Sequence, residues 1–196
     1  AVQQVLQQVL SQRPSSESVS LTDINDGKFA DEVKNITVVT ATDGNHGRSV
    51  AWGAERFGCE CMIYMHANVS QARQEAVEAF GATVIRVDGN YDDSVRQADL
   101  DAKENGWHIV SDTSYPGYME VPRDVMAGYT LMTTEAMDQL PESVIPSHVF
   151  IQGGCGGLAG AVCAAPWFRY GKDIPHIVVV EPVPSAFLLQ RATPRE

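Results

Sequence analysis

From about residue 36 onward, short β-branched runs alternate with longer stretches of helical periodicity, and this alternation restricts the chain to an α/β architecture on parallel strands. The strand-like segments are 36–42, 61–66, 83–87, 107–111, 148–152 and 176–181. Helices are predicted between them at 47–57, 70–80, 92–105, 122–140 and 158–170, with an amphipathic one at 1–12 that carries Val2, Val5, Leu6, Val9 and Leu10 on one face. Parallel neighbours need crossovers, which helices supply with a right-handed sense. Runs that are apolar throughout, such as Val178-Val179-Val180, suit a sheet covered on both faces. Ser70 is placed to cap its helix, Pro122 suits a first helical position, and Gly81 and Gly106 stand where helices stop. Residues 13–17 read as a loop.

A formal net charge of -11 over 196 residues argues against nucleic acid or an anionic membrane as partner. It leaves room for a phosphorylated small molecule, because local backbone N–H groups can hold a phosphate within an acidic protein. No apolar run reaches the length of a membrane span, and no basic segment of a signal peptide is visible, so a cytoplasmic location is expected. Both ends read as cut, as though the chain were part of a longer one. Cys59, Cys61, Cys155 and Cys163 lack zinc-site spacing, so no metal site is expected and the thiols read as reduced and mostly buried.

Two loops carry the chemistry. The strand at 36–42 empties into Asp43-Gly44-Asn45-His46-Gly47-Arg48, a polar turn that opens a helix, where α/β sheets place ligands. Asp43 or Asn45 could equally be a plain helix cap. The strand at 148–152 runs into Gly153-Gly154-Cys155-Gly156-Gly157-Leu158. Bare backbone there, backed by a helix dipole, suits a phosphate, and the alternative is a tight helix–sheet contact. The same residues fit Gly154-x-Gly156-x-x-Ala159, a dinucleotide fingerprint with Glu181 where a ribose-binding acid would sit. The absence of a following lysine argues against a P-loop.

Together, Thr42-Asp43-Gly44-Asn45-His46-Gly47 and Gly154-Cys155-Gly156-Gly157-Leu158 resemble the fold type II pyridoxal-phosphate enzymes, the tryptophan-synthase β-chain type. Serine and threonine dehydratases commonly carry Ser where Asp43 stands. Asp43, with Asn90-Tyr91-Asp92-Asp93 and Ser111-Asp112-Thr113-Ser114-Tyr115-Pro116-Gly117-Tyr118, is more similar to the diaminopropionate ammonia-lyases. The resemblance runs from about Ile36 to Pro182. It implies three-layer αβα parallel sheets in two Rossmann-like subdomains, with 36–121 as a smaller domain and 1–35 and 122–196 as parts of a large one. It implies pyridoxal 5'-phosphate as cofactor and elimination of ammonia from the amino acid 2,3-diaminopropionate to give pyruvate and ammonia, in a homodimer. Asn45 would meet the phenolic oxygen of the cofactor, and Gly154, Cys155, Gly156, Gly157 and Leu158 its phosphate. Asp43 would act as base at Cα, at least for a D-configured substrate, and Asp112 would contact the substrate amine or help move its proton. Asp112 could also be a turn residue ahead of Pro116. His46 reads as a structural hydrogen-bonder.

The family forms its Schiff base through a lysine in an apolar Phe-Lys type motif. Lys28, Lys34, Lys103 and Lys172 lie in no such setting, so this chain is expected to lack that anchor and to be inactive alone. The competing readings are a dehydratase-like lyase, a catalytically dead binding module and a nicotinamide-dependent oxidoreductase.

Overall fold

The computed structural model of the chain describes residues 1–14, 18–183 and 186–192, which form two units, Ala1–Ser111 and Asp112–Glu196. Part of the predicted loop at 13–17, namely 15–17, and the last residues, 193–196, lie outside the described residues.

In the first unit, α1 (Val2–Ser11) buries Val2, Val5, Leu6 and Leu10, the face its periodicity predicts, and packs on α4 (Asn45–Phe57). Two short helices follow α1: α2 (Leu21–Asn25) and α3 (Ala30–Val33). Neither is long enough to display a period, but the reciprocal capping of Ser20 and Asp23 nucleates α2. The sheet holds β1 (Thr37–Ala41), β2 (Glu60–His66), β3 (Thr83–Val87) and β4 (His108–Ile109), all parallel, in the order β3-β2-β1-β4. The chain runs outward from β1 through α4 and α5 (Gln71–Glu78), then returns across β1 through α6 (Tyr91–Asn105). Right-handed crossovers therefore put α4 and α5 on one face and α6 on the other, giving three layers. Val39 and Tyr64 meet Ala98 and Ala102 of α6, while the alternate residues Val38, Ile63 and Met65 are fully buried toward the opposite face. Burial on both sides is why these strands read as unbroken apolar runs, and each such Val or Ile contributes about 1.5–3 kcal/mol. Asn90 and Asp93 cap each other's amides at the start of α6.

The second unit contains α7 (Glu120–Asp138), β5 (His148–Gln152), α8 (Gly157–Tyr170), β6 (His176–Val180) and α9 (Phe187–Ala192). β5 and β6 pair in parallel, from His148 beside His176 to Gln152 beside Val180. Ile151, Ala159 and Val162 form its core, with Val149 and Ile177 against them. The other sheet face leaves Phe150 69% and Val180 54% exposed. Among the described residues no helix is long and apolar enough to cross a membrane.

Boundary markers hold in part. Ser70 occupies the cap position of α5, but its hydroxyl makes no capping hydrogen bond. Pro122 sits in the first turn of α7 rather than at its first residue, where the missing N–H still costs nothing because that turn's amides have no helical acceptor. The strand predicted at 107–111 contracts to two residues.

Candidate functional site

In the first unit the strand order reverses between β1 and β4, the point where an α/β sheet opens a crevice beyond its carboxyl ends. Thr42 leaves β1 with its N–H still donating to Tyr64 O at 3.0 Å. Its buried hydroxyl then accepts the amides of Gly44 and Gly47, both at 3.1 Å. Thr42 therefore does the capping that Asp43 or Asn45 could have done, and both of those side chains are exposed. Gly47 is obligatory: a Cβ there would stand 2.1 Å from Thr42 Cγ2. His46 Nε2 lies 2.7 Å from Val110 O. A carbonyl only accepts, so Nε2 carries the proton and His46 braces the loop against the end of the β4 segment. A cavity of about 370 Å³ opens here, lined by Asp43, Gly44, Asn45, Arg48 and Arg73 among others. Arg73 donates to Asp43 O at 2.9 Å.

In the second unit Gly153 still belongs to the sheet, donating to Val180 O at 2.8 Å. The backbone then turns, and Gly156 takes φ +100°, a left-handed conformation that favours glycine, just before α8 begins. The first bond of α8 runs from Gly160 N to Gly156 O. Among the described residues, the amides of Gly154, Cys155, Gly156, Gly157 and Leu158 find no acceptor in the chain. The first four of these residues border a cavity of about 360 Å³ whose other walls include Asp112, Ser114 and Met126. A run of unpaired donors at a helix N-terminus fits an anionic oxygen cluster such as a phosphate. Leu158 can offer only its amide, since its side chain packs on the core of Ile151 and Val162. The Cys155 thiol is exposed, unlike buried Cys61, so the expectation of mostly buried thiols fails at the loop itself. Burial pushes Cys59 up to about 11 and Cys61 up to about 12.

Asp112 is half-buried and accepts the Thr113 hydroxyl at 3.3 Å. Tyr129 of α7 was not singled out from the sequence. Burial, then the nearby Asp112 and Cys155, push its phenol upward. It stands one helical turn beyond Met126, a spacing that the periodicity of α7 could have flagged.

Glu181 is not available for a ribose. Its two carboxylate oxygens accept the amides of Leu188 and Leu189, each at 3.0 Å, and so cap α9. That removes the acid on which the oxidoreductase reading depended. Lys28, Lys34 and Lys103 pair with Asp23, Asp31 and Asp99 on the surface, and Lys172 is exposed beyond α8. None of the four lines either cavity.

Comparison with known proteins bears on both units. A diaminopropionate ammonia-lyase of Salmonella typhimurium is 40% identical over 177 residues, covering 89% of this chain and 44% of the relative. A threonine dehydratase of Solanum lycopersicum is 30% identical over 146 residues, covering 74% of this chain and 22% of its own length. The crystal structure of apo Escherichia coli diaminopropionate ammonia lyase superposes with a TM-score of 0.79 at 34% identity, covering 96% of this chain and 50% of that one. The chain thus spans about half the length of the ammonia-lyases it matches. Residues 17–195 match the family described as pyridoxal-phosphate dependent enzyme, and with nearly the whole length covered, the chain belongs to that family.

Proposed function

We propose that the intact enzyme eliminates ammonia from 2,3-diaminopropionate, giving pyruvate and ammonia, with pyridoxal 5'-phosphate as cofactor. The observation that carries this reading is the row of amides from Gly154 to Leu158, unpaired among the described residues, at a cavity that Asp112 also lines. The cofactor, when bound, supplies an electron sink that acidifies the substrate Cα–H. Gly154, Cys155, Gly156, Gly157 and Leu158 hold its phosphate through main-chain N–H groups, which makes the Cys155 side chain dispensable. Asn45, exposed in its cavity, donates to the phenolic oxygen. Asp43 takes the Cα proton of a D-configured substrate. Its carboxylate is 51% exposed. Asp112 faces the cationic β-ammonium group and orients it, which a hydroxyl in its place would do less strongly.

The ammonia-lyase reading is favoured over a dehydratase by the higher identity of the ammonia-lyases, 40% against 30%. The domain roles belong to the same proposal: 36–121 as the smaller domain, 1–35 and 122–196 as parts of the larger. So do a homodimeric assembly, a cytoplasmic location, and a Schiff-base lysine supplied from outside these 196 residues.

Pyruvate and ammonia release by the intact enzyme tests the reading. Turnover of diaminopropionate well above that of serine and threonine is expected, and the 196-residue chain alone is expected to give none. Preference for the hydroxy amino acids would transfer the enzyme to the dehydratases.

A further inference from the structure

We propose that His66 is a positioning residue for the Asp43 carboxylate, an inference that rests on reading Asp43 as the base. Asp43 sits in an exposed turn, and proton abstraction demands a fixed direction of approach. Its main chain is already clamped, because Arg73 donates to its carbonyl at 2.9 Å. Its side chain faces His66, whose Nε2 lies 3.9 Å from Asp43 Oδ1. His66 is the last residue of β2, next to β1 in the sheet, and its side chain is 18% exposed. Arg86 holds its carbonyl at 3.1 Å.

The tautomer follows from its other nitrogen. Nδ1 accepts the Asn68 N–H at 3.3 Å, so in the neutral ring Nε2 bears the hydrogen, a donor 3.9 Å from Asp43 Oδ1. Closing the gap by roughly 1 Å makes a hydrogen bond, and such contacts tighten when substrate binds. With Nδ1 occupied and Nε2 protonated, the ring has no lone pair to offer Asp43. It orients the carboxylate and does not relay its proton.

The test is steady-state turnover of D- and L-diaminopropionate by the intact holoenzyme. His66→Phe should lower kcat for the D-isomer roughly tenfold, the loss of one charge-assisted hydrogen bond, with KM and the L-isomer little changed. His66→Gln, which keeps an N–H near the Nε2 position, should recover most of that loss. His66→Asn, too short to reach, should behave like the Phe variant and serves if the latter does not fold. Unaltered D-isomer kcat, a Gln variant as slow as Phe, or equal losses on both isomers would overturn the proposal. Asp43→Asn separates the two levels. If it abolishes D-isomer turnover while the His66 variants do nothing, only the role of His66 falls. If it leaves turnover intact, the reading of Asp43 falls and the role of His66 with it.

Discussion

The two loops have the same position in a βα unit and opposite internal economies of hydrogen bonding. The loop after β1 is held by the chain itself: Thr42 takes two amides, His46 reaches Val110, and Arg73 holds the Asp43 carbonyl. The loop after β5 and the first turn of α8 leave the five amides from Gly154 to Leu158 without an acceptor among the described residues. A loop whose own polar groups satisfy its backbone is rigid and presents side chains. A loop that leaves its backbone unsatisfied presents N–H groups and needs an anion to complete it. The difference explains why an acid and an amide, Asp43 and Asn45, stand on the first and a run of glycines on the second.

Removing the chemistry presented by the braced loop should have the largest effect. Asp43→Asn in the intact enzyme is expected to lower D-isomer kcat by about 10²–10⁴-fold, the usual contribution of a general base, as read by pyruvate release. Next comes the shape of the bare loop. Gly156→Val forces a branched side chain into φ +100°, and pyridoxal phosphate affinity should fall roughly tenfold or more, measured by absorbance titration. The bracing of the first loop should yield to Thr42→Val, which keeps shape but strands the amides of Gly44 and Gly47. A stability loss of about 1–3 kcal/mol is expected in urea unfolding, and an unchanged midpoint would mean that water replaces the hydroxyl. The smallest effect concerns Cys155. Alkylation should modify it well before Cys61, whose burial pushes the thiol up to about 12, and bound cofactor should slow that labelling. Cys155→Ala should retain activity, since only the amide is used.

Much of the first unit was legible in the sequence because parallel strands buried on both faces leave unbroken apolar runs, as at Val38-Val39; the run Val178-Val179-Val180, read the same way, instead leaves Val179 38% and Val180 54% exposed in a two-stranded sheet. The strand predicted at 148–152 and the glycine loop after it appear in the structure with that order intact. Elements of four to six residues, α2, α3 and α9, were invisible, since none spans two turns of a helical period. The roles of Thr42 and Glu181 were also hidden, for a different reason. Each depends on which amides the tertiary turn brings within reach, and a residue type alone does not say whether its oxygen will cap a helix or meet a ligand. His66 illustrates the same limit: a histidine closing a predicted strand was readable, but its approach to Asp43 is set by the alignment of β2 on β1.

The most direct test is a crystal structure of the intact enzyme with pyridoxal phosphate bound. The account predicts phosphate oxygens within hydrogen-bond distance of the main-chain amides between Gly154 and Leu158. Phosphate held by side chains elsewhere, with those amides turned onto acceptors of the protein itself, would contradict it.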